Sequence, residues 1–150
     1  MLHKKIIAAL FGLNLLAMPI AHASDLDDFL RRVDVQARAD QNGFAVRISA
    51  QFGVPEAQVR VVLGKVNQAS DAFMVFQLGQ WTRQPVDSIL GTYQKGKGKG
   101  WGALAQELGI KPGSREFHAL KRGDLYFAGE AGGEEHPGHG KGKGKNKHHD

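Results

Sequence analysis

Cysteine is absent from all 150 residues. A disulfide framework is therefore excluded, and an exported fold must hold by packing alone, or with a metal or a partner. No apolar run reaches the ~20 residues that a membrane span needs. The longest, Ile6 to Ala21, is broken by Asn14. The phosphate-loop pattern G-x-x-x-x-G-K-[ST] does not occur. Gly98-x-Gly100-x-x-Ala103 matches a dinucleotide fingerprint only superficially, because no strand precedes it and no βαβ pattern surrounds it. None of Ser24, Ser49, Ser70, Ser88 and Ser114 has a nucleophile-elbow context. After Phe127 there is no large apolar residue at all.

What is present begins with an address. Lys4 and Lys5 precede the apolar run, and Ala21-His22-Ala23 supplies small residues where a signal peptidase cuts. Residues 1–23 read as a secretory signal peptide cleaved after Ala23. The expected compartment is the periplasm or the exterior. With no cysteine after the apolar core, a lipid anchor is not expected, and no transmembrane anchor is expected after cleavage. The remaining chain of about 127 residues suits one small domain.

Charge is uneven along that domain. Ser24 to Gln94 carry seven basic and eight acidic residues. Lys95 to Arg122 carry seven basic residues against Glu107 and Glu116. The formal net charge of +5 falls to +3 once Lys4 and Lys5 are removed. The concentrated positive stretch points to affinity for an anionic partner and not to any particular fold.

Periodicity predicts an all-α domain over residues 24–127, a small orthogonal bundle of about six short helices in helix-turn-helix pairs. Ser24 caps a first helix whose opening turn holds Asp25, Asp27 and Asp28. These acids serve the helix dipole better than they would serve as an acid/base pair. Leu26, Phe29, Leu30, Val33 and Ala37 form its apolar stripe. Gln41-Asn42-Gly43 is a stop signal. Phe44 to Phe52 fits either a strand or a helix, and Gly53 as a C-cap with Pro55 opening the next element favours the helix. Glu56 to Val66 continues as a helix. Ser70 reads as the cap of the most buried helix, running to about Trp81. Pro85 opens another, with Val86, Ile89, Leu90 and Tyr93 inward. Gly102 to Leu108 and Arg115 to Arg122 complete the pattern, the last one capped by Ser114. Asp124 to Phe127 is expected to fold back onto the domain.

A weak repeat runs through these elements. A shift of 30 residues aligns Phe44 with Met74, Val46 with Phe76, Ile48 with Leu78, Pro55 with Pro85 and Val59 with Ile89. Leu108-Gly109-Ile110 echoes Phe52-Gly53-Val54.

Four features carry candidate chemistry. The Lys/Gly run leaves its backbone open to a ligand through Gly96, Gly98, Gly100 and Gly102, and supplies Lys95, Lys97 and Lys99 as anion contacts. The competing reading is a flexible, solvated turn. Trp101 and Trp81 read as core anchors, and the sequence leaves open whether Trp101 faces in or out. The pair Gly102 to Arg122, with Lys111, Arg115, Lys121 and Arg122, has the outline of a DNA-reading helix-turn-helix. The signal peptide argues against nucleic acid, and the same unit is common as plain packing. From Ala128 the tail is expected to be disordered, since it has too little apolar surface to offset its ordering entropy. Its His136, His139, His148 and His149 suit weak zinc, nickel or copper binding. His118, between apolar Phe117 and Leu120, reads as packed and not as catalytic.

At Gly98 to Lys121, G-K-G-W-G-A-L-A-Q-E-L-G-I-K-P-G-S-R-E-F-H-A-L-K, the chain resembles a group of small exported bacterial proteins of unassigned function. Phe52 to Pro55 and Ala72 to Leu78 share the resemblance. It implies an exported helical domain and assigns no site residue. The resulting expectation is a non-enzymatic module that binds an envelope protein or an anionic polymer. The binding residues would be Lys95, Lys97, Lys99, Gly100, Trp101, Lys111, Arg115, Lys121 and Arg122. The alternatives are a periplasmic metal-binding protein that uses its His-rich tail, and a small envelope enzyme acting on a polymer.

Overall fold

A computed structural model of the chain describes residues 24–129. All regular structure among them is helical, in seven helices and with no strand: α1 Asp25–Ala39, α2 Gln41–Phe52, α3 Glu56–Leu63, α4 Ala69–Thr82, α5 Val86–Lys95, α6 Trp101–Glu107 and α7 Arg115–Arg122. The expected bundle of about six is thus seven, and the ambiguous Phe44 to Phe52 is helix. None of the described helices is long and apolar enough to cross a membrane.

Local chemistry accounts for most of the ends. Ser24 Oγ accepts from the Asp27 N–H, and the Asp27 carboxylate accepts from the Ser24 N–H, both at 3.2 Å. The two bonds form a capping box that starts α1. Asp40 ends α1 and also caps α2 by accepting from the Gly43 N–H at 2.8 Å. The break therefore falls at Asp40, and the expected stop at 41–43 lies inside α2. Helices α2, α4, α6 and α7 end alike, with a left-handed residue at Gly53, Arg83, Gly109 and Gly123. In each case the next N–H reaches back five residues: Val54 to Ser49, Gln84 to Gly79, Ile110 to Ala105 and Asp124 to Ala119, at 2.9–3.2 Å. This is the 6→1 bond of a Schellman stop.

One expected cap is wrong. Helix α4 begins after Gln68, and Ser70 lies inside its first turn. Ser70 is 2% exposed and turned towards α1, where its N–H and Oγ donate to the two carboxylate oxygens of Asp34 at 2.8 and 2.9 Å. Asp34 of α1 thus adds to the local cap of α4, where the Asp71 carboxylate accepts from the Gln68 N–H. Helix α3 stops at Leu63, short of the expected Val66, because the chain turns at Gly64. Val66 still packs on the core.

The core is built around α4, which packs against α1, α2, α3 and α5. Every residue from Ala72 to Gly79 is buried. Phe73 sits between Phe29, Phe52 and Phe127, with ring centroids at 5.2, 5.7 and 6.0 Å. Phe127 is fully buried and also meets Phe44 at 5.2 Å, so the segment after α7 does return to the domain. The return continues into Ala128, whose N–H donates to Gln51 Oε1 at 2.9 Å.

Candidate functional site

Three elements meet at one end of α5: the loop before α4, the first turn of α4, and the Lys/Gly loop that leads into α6. Their junction is Tyr93. Its hydroxyl accepts from the Asn67 N–H at 3.3 Å and donates to Asp71 Oδ2 at 2.8 Å. The same Oδ2 accepts from the Gln68 N–H at 3.0 Å. Burial, and then the hydrogen bond to the Asp71 carboxylate, push the Tyr93 phenol above its ordinary value of 10.0, because both disfavour a phenolate there. Trp101 stacks on the Tyr93 ring at 5.5 Å and 15°. Trp101 is half-buried against the core, so it faces neither fully in nor fully out. Trp81 is half-buried in the same way.

The Lys/Gly loop contains a hydrogen-bonded turn. The Lys99 N–H donates to the Gly96 carbonyl at 2.8 Å, and Gly98 at the third position has φ 90°. That is the pattern of a type II turn, whose third position demands glycine. It places Lys97 at the corner, exposed. Gly96 is buried against Leu104, and a Cβ there would collide with the Leu104 side chain. Gly96 thus serves packing rather than the ligand approach expected of it. Gly100 has open space around its Cβ position.

The nine residues expected to bind a partner fall into two groups. Lys97, Lys99 and Trp101 line one cavity of about 240 Å³ together with Asn67, Gln68, Asp71 and Tyr93. Lys95 ends α5 directly before the loop, and Gly100 precedes Trp101. Lys99 is ion-paired with Glu107 of α6. Among the described residues Lys95 and Lys97 have no ion-pair partner. The second group sits on and around α7. Lys111, Arg115 and Lys121 are exposed, and Arg122 pairs with Asp124 at 3.1 Å. The end of α7 lies against the start of α1, where a Cβ on Gly123 would meet the Asp25 carbonyl oxygen at 2.5 Å. The acidic first turn of α1 thereby faces the basic last turn of α7. His118 is exposed, contrary to the packed position expected. An exposed position lets α7 turn its apolar side, Leu120 and part of Phe117, to the domain.

Asp71, Asn67, Gln68 and the polar role of Tyr93 were not legible as site residues. The available signal was an aspartate opening the most apolar helix and a tyrosine immediately before the lysines. A further cavity, about 570 Å³, lies between α1, α2, α3 and the loop before α4 and includes Asp34, Arg38, Phe44 and Arg60. Arg60 is engaged there with Glu56 and Asn42 at 3.4 and 3.3 Å. Among the described residues no group of three or more His, Cys, Asp or Glu side chains could hold a metal ion. The candidate zinc, nickel or copper ligands His136, His139, His148 and His149 lie outside the described residues, as does the signal segment.

No protein-family model matches the chain, and no curated protein or solved structure matches it either.

Proposed function

We propose that the chain is an exported, non-enzymatic helical binding module of the bacterial cell envelope that takes an anionic partner at the Lys/Gly loop. The observation that carries this reading is the pair Lys95 and Lys97, exposed and without ion partners among the described residues, one at the end of α5 and the other at the corner of a hydrogen-bonded turn. A preorganised cation site loses little entropy on binding. Lys111 before α7 and Arg115 and Lys121 on it extend the positive surface, while Asp124 offsets Arg122. The carboxylates near the loop support binding over catalysis: Asp34 has both oxygens committed to Ser70, and Asp71 ties Tyr93 to α4.

The test is retention of the full-length chain on an immobilised polyuronate, read as a function of salt. Wild type is expected to elute late, and Lys95→Glu/Lys97→Glu about tenfold weaker in affinity. Its stability should stay within about 0.5 kcal/mol, as for most exposed substitutions. Unchanged retention in that variant, with loss in Lys111→Glu/Arg115→Glu, would move the binding surface to α7.

A further inference from the structure

We propose that the ligand taken beside the loop is a pyranose ring of an acidic polysaccharide, seated against Trp101. This inference rests on the loop being the binding surface and goes on to specify what is bound. Two cavities adjoin there, of about 240 and 390 Å³, and Gln68, Asp71 and Trp101 line both. Trp101 is braced from one side by the stacked Tyr93 ring, so its indole is a fixed apolar plate among polar groups. Sugar rings offer a matching surface, with C–H bonds on the ring face and hydroxyls at the edge. Aromatic plates with a polar surround suit such amphipathic bodies.

The carboxylates favour a hydroxylated ligand over a bare anion. Asp71 lines both cavities, and Asp27 and Asp34 line the second. Lys97, Lys99 and Arg31 in the same cavities would attract polyphosphate and a polyuronate alike, but polyphosphate has no hydroxyl to donate to these carboxylates. A sugar hydroxyl would instead donate to Asp71. Asp71 Oδ2 takes both bonds within the protein, which leaves Oδ1 without a donor among the described residues. The amide of Asn67 is exposed and has no side-chain partner among the described residues. Gln68 is exposed at the junction of the two cavities. Lys97 at the turn corner supplies the charge for an acidic ring substituent. Hydroxyl acceptors, amides, a plate and a rim cation together describe a uronic-acid residue better than a nucleotide or a free anion.

The experiment titrates the full-length chain with tetragalacturonate, cellotetraose and inorganic polyphosphate, following the Trp101 indole and backbone amides by NMR. Tetragalacturonate is expected to shift Trp101 and residues 67–71, with cellotetraose weaker at the same signals. Asn67→Ala/Gln68→Ala removes two exposed side chains, the second at the N-cap of α4, and should weaken tetragalacturonate about tenfold, as should Asn67→Ala alone to a smaller degree. Lys95→Glu/Lys97→Glu should reduce it to the cellotetraose level. Tetragalacturonate binding that ignores Asn67→Ala/Gln68→Ala overturns the inference. Polyphosphate binding as tightly with no shift at Trp101 overturns it too, while leaving the loop as an anion site. Failure of all three probes removes both readings.

Discussion

Helices α2 and α3 and helices α4 and α5 are two versions of one unit, 30 residues apart. Both pairs turn through a left-handed residue, Gly53 or Arg83, and restart behind a proline, Pro55 or Pro85, with nearly the same dihedral angles. Yet their neighbours differ. Val46 is 47% exposed, while Phe76 at the matching position is 3% exposed. Leu63 occupies the place of Tyr93, and Gln41 the place of Asp71. The same connection geometry therefore serves as outer wall in one copy and as core plus the Tyr93 polar junction in the other. Position in the bundle decides that role, and the unit's own pattern does not.

The sharpest break of this comparison is a truncation in each copy. Phe73→Ala, at the centre of the aromatic cluster, should cost about 3–5 kcal/mol of unfolding free energy, from lost burial and the cavity left behind. Val46→Ala on the outer copy should stay within about 0.5 kcal/mol. Chemical denaturation with parallel far-ultraviolet circular dichroism checks both. Similar losses in the two would show that α2 is covered by something the described residues do not include.

A smaller effect probes the shared turn itself. Gly53 has φ 65° with open space around its Cβ position, so Gly53→Ala carries mainly backbone strain, about 1 kcal/mol. Arg83 holds a similar conformation, φ 54°, with a side chain in place. Arg83→Gly relieves strain of about 1–2 kcal/mol but adds freedom to the unfolded chain, for a net gain of about 0.5 kcal/mol. Opposite signs in thermal unfolding would confirm that the two turns are equivalent. A loss in both would mean that the Arg83 side chain contributes more than its conformation costs.

Punctuation made much of this fold readable. Ser24 followed by three acids, the two X-Pro restarts, and glycines at 53, 109 and 123 each act through groups within a few residues, so sequence order suffices. The failures involve partners farther away. Ser70 looks like a local cap, yet its bonds go to Asp34, 36 residues back. Arg83 carries no left-handed signature, because only the packed helix pair forces it. The lysines and Trp101 stood out as candidates from composition and spacing, and Lys97, Lys99 and Trp101 do line one cavity. The Lys99–Glu107 pair and the Asp71–Tyr93 bond, 22 residues apart, were not, since they exist only once α4, α5 and α6 converge. Charge runs are visible in a sequence, whereas which charges are already spent is a tertiary property.

The subtlest difference between the copies is the polar junction that only the second one has, and pH isolates it. Tyr93 holds its proton more tightly in the fold than the ordinary phenol value of 10.0, chiefly through burial and then through Asp71. A raised folded value means that the folded state binds the proton more tightly than the unfolded chain. The contribution of Tyr93 to stability is therefore complete below 10.0 and is lost as pH rises through the folded value. Above it, a phenolate would face the Asp71 carboxylate and give up the bond that ties α5 to the first turn of α4. Unfolding free energy of the wild type should fall across this alkaline window, and Tyr93→Phe should lack that component of the fall. The variant should also begin less stable at neutral pH, since Asp71 and the Asn67 N–H lose a partner. An identical alkaline slope in both proteins would place the titration elsewhere and leave Tyr93 as a packing residue, as Leu63 is in the outer copy.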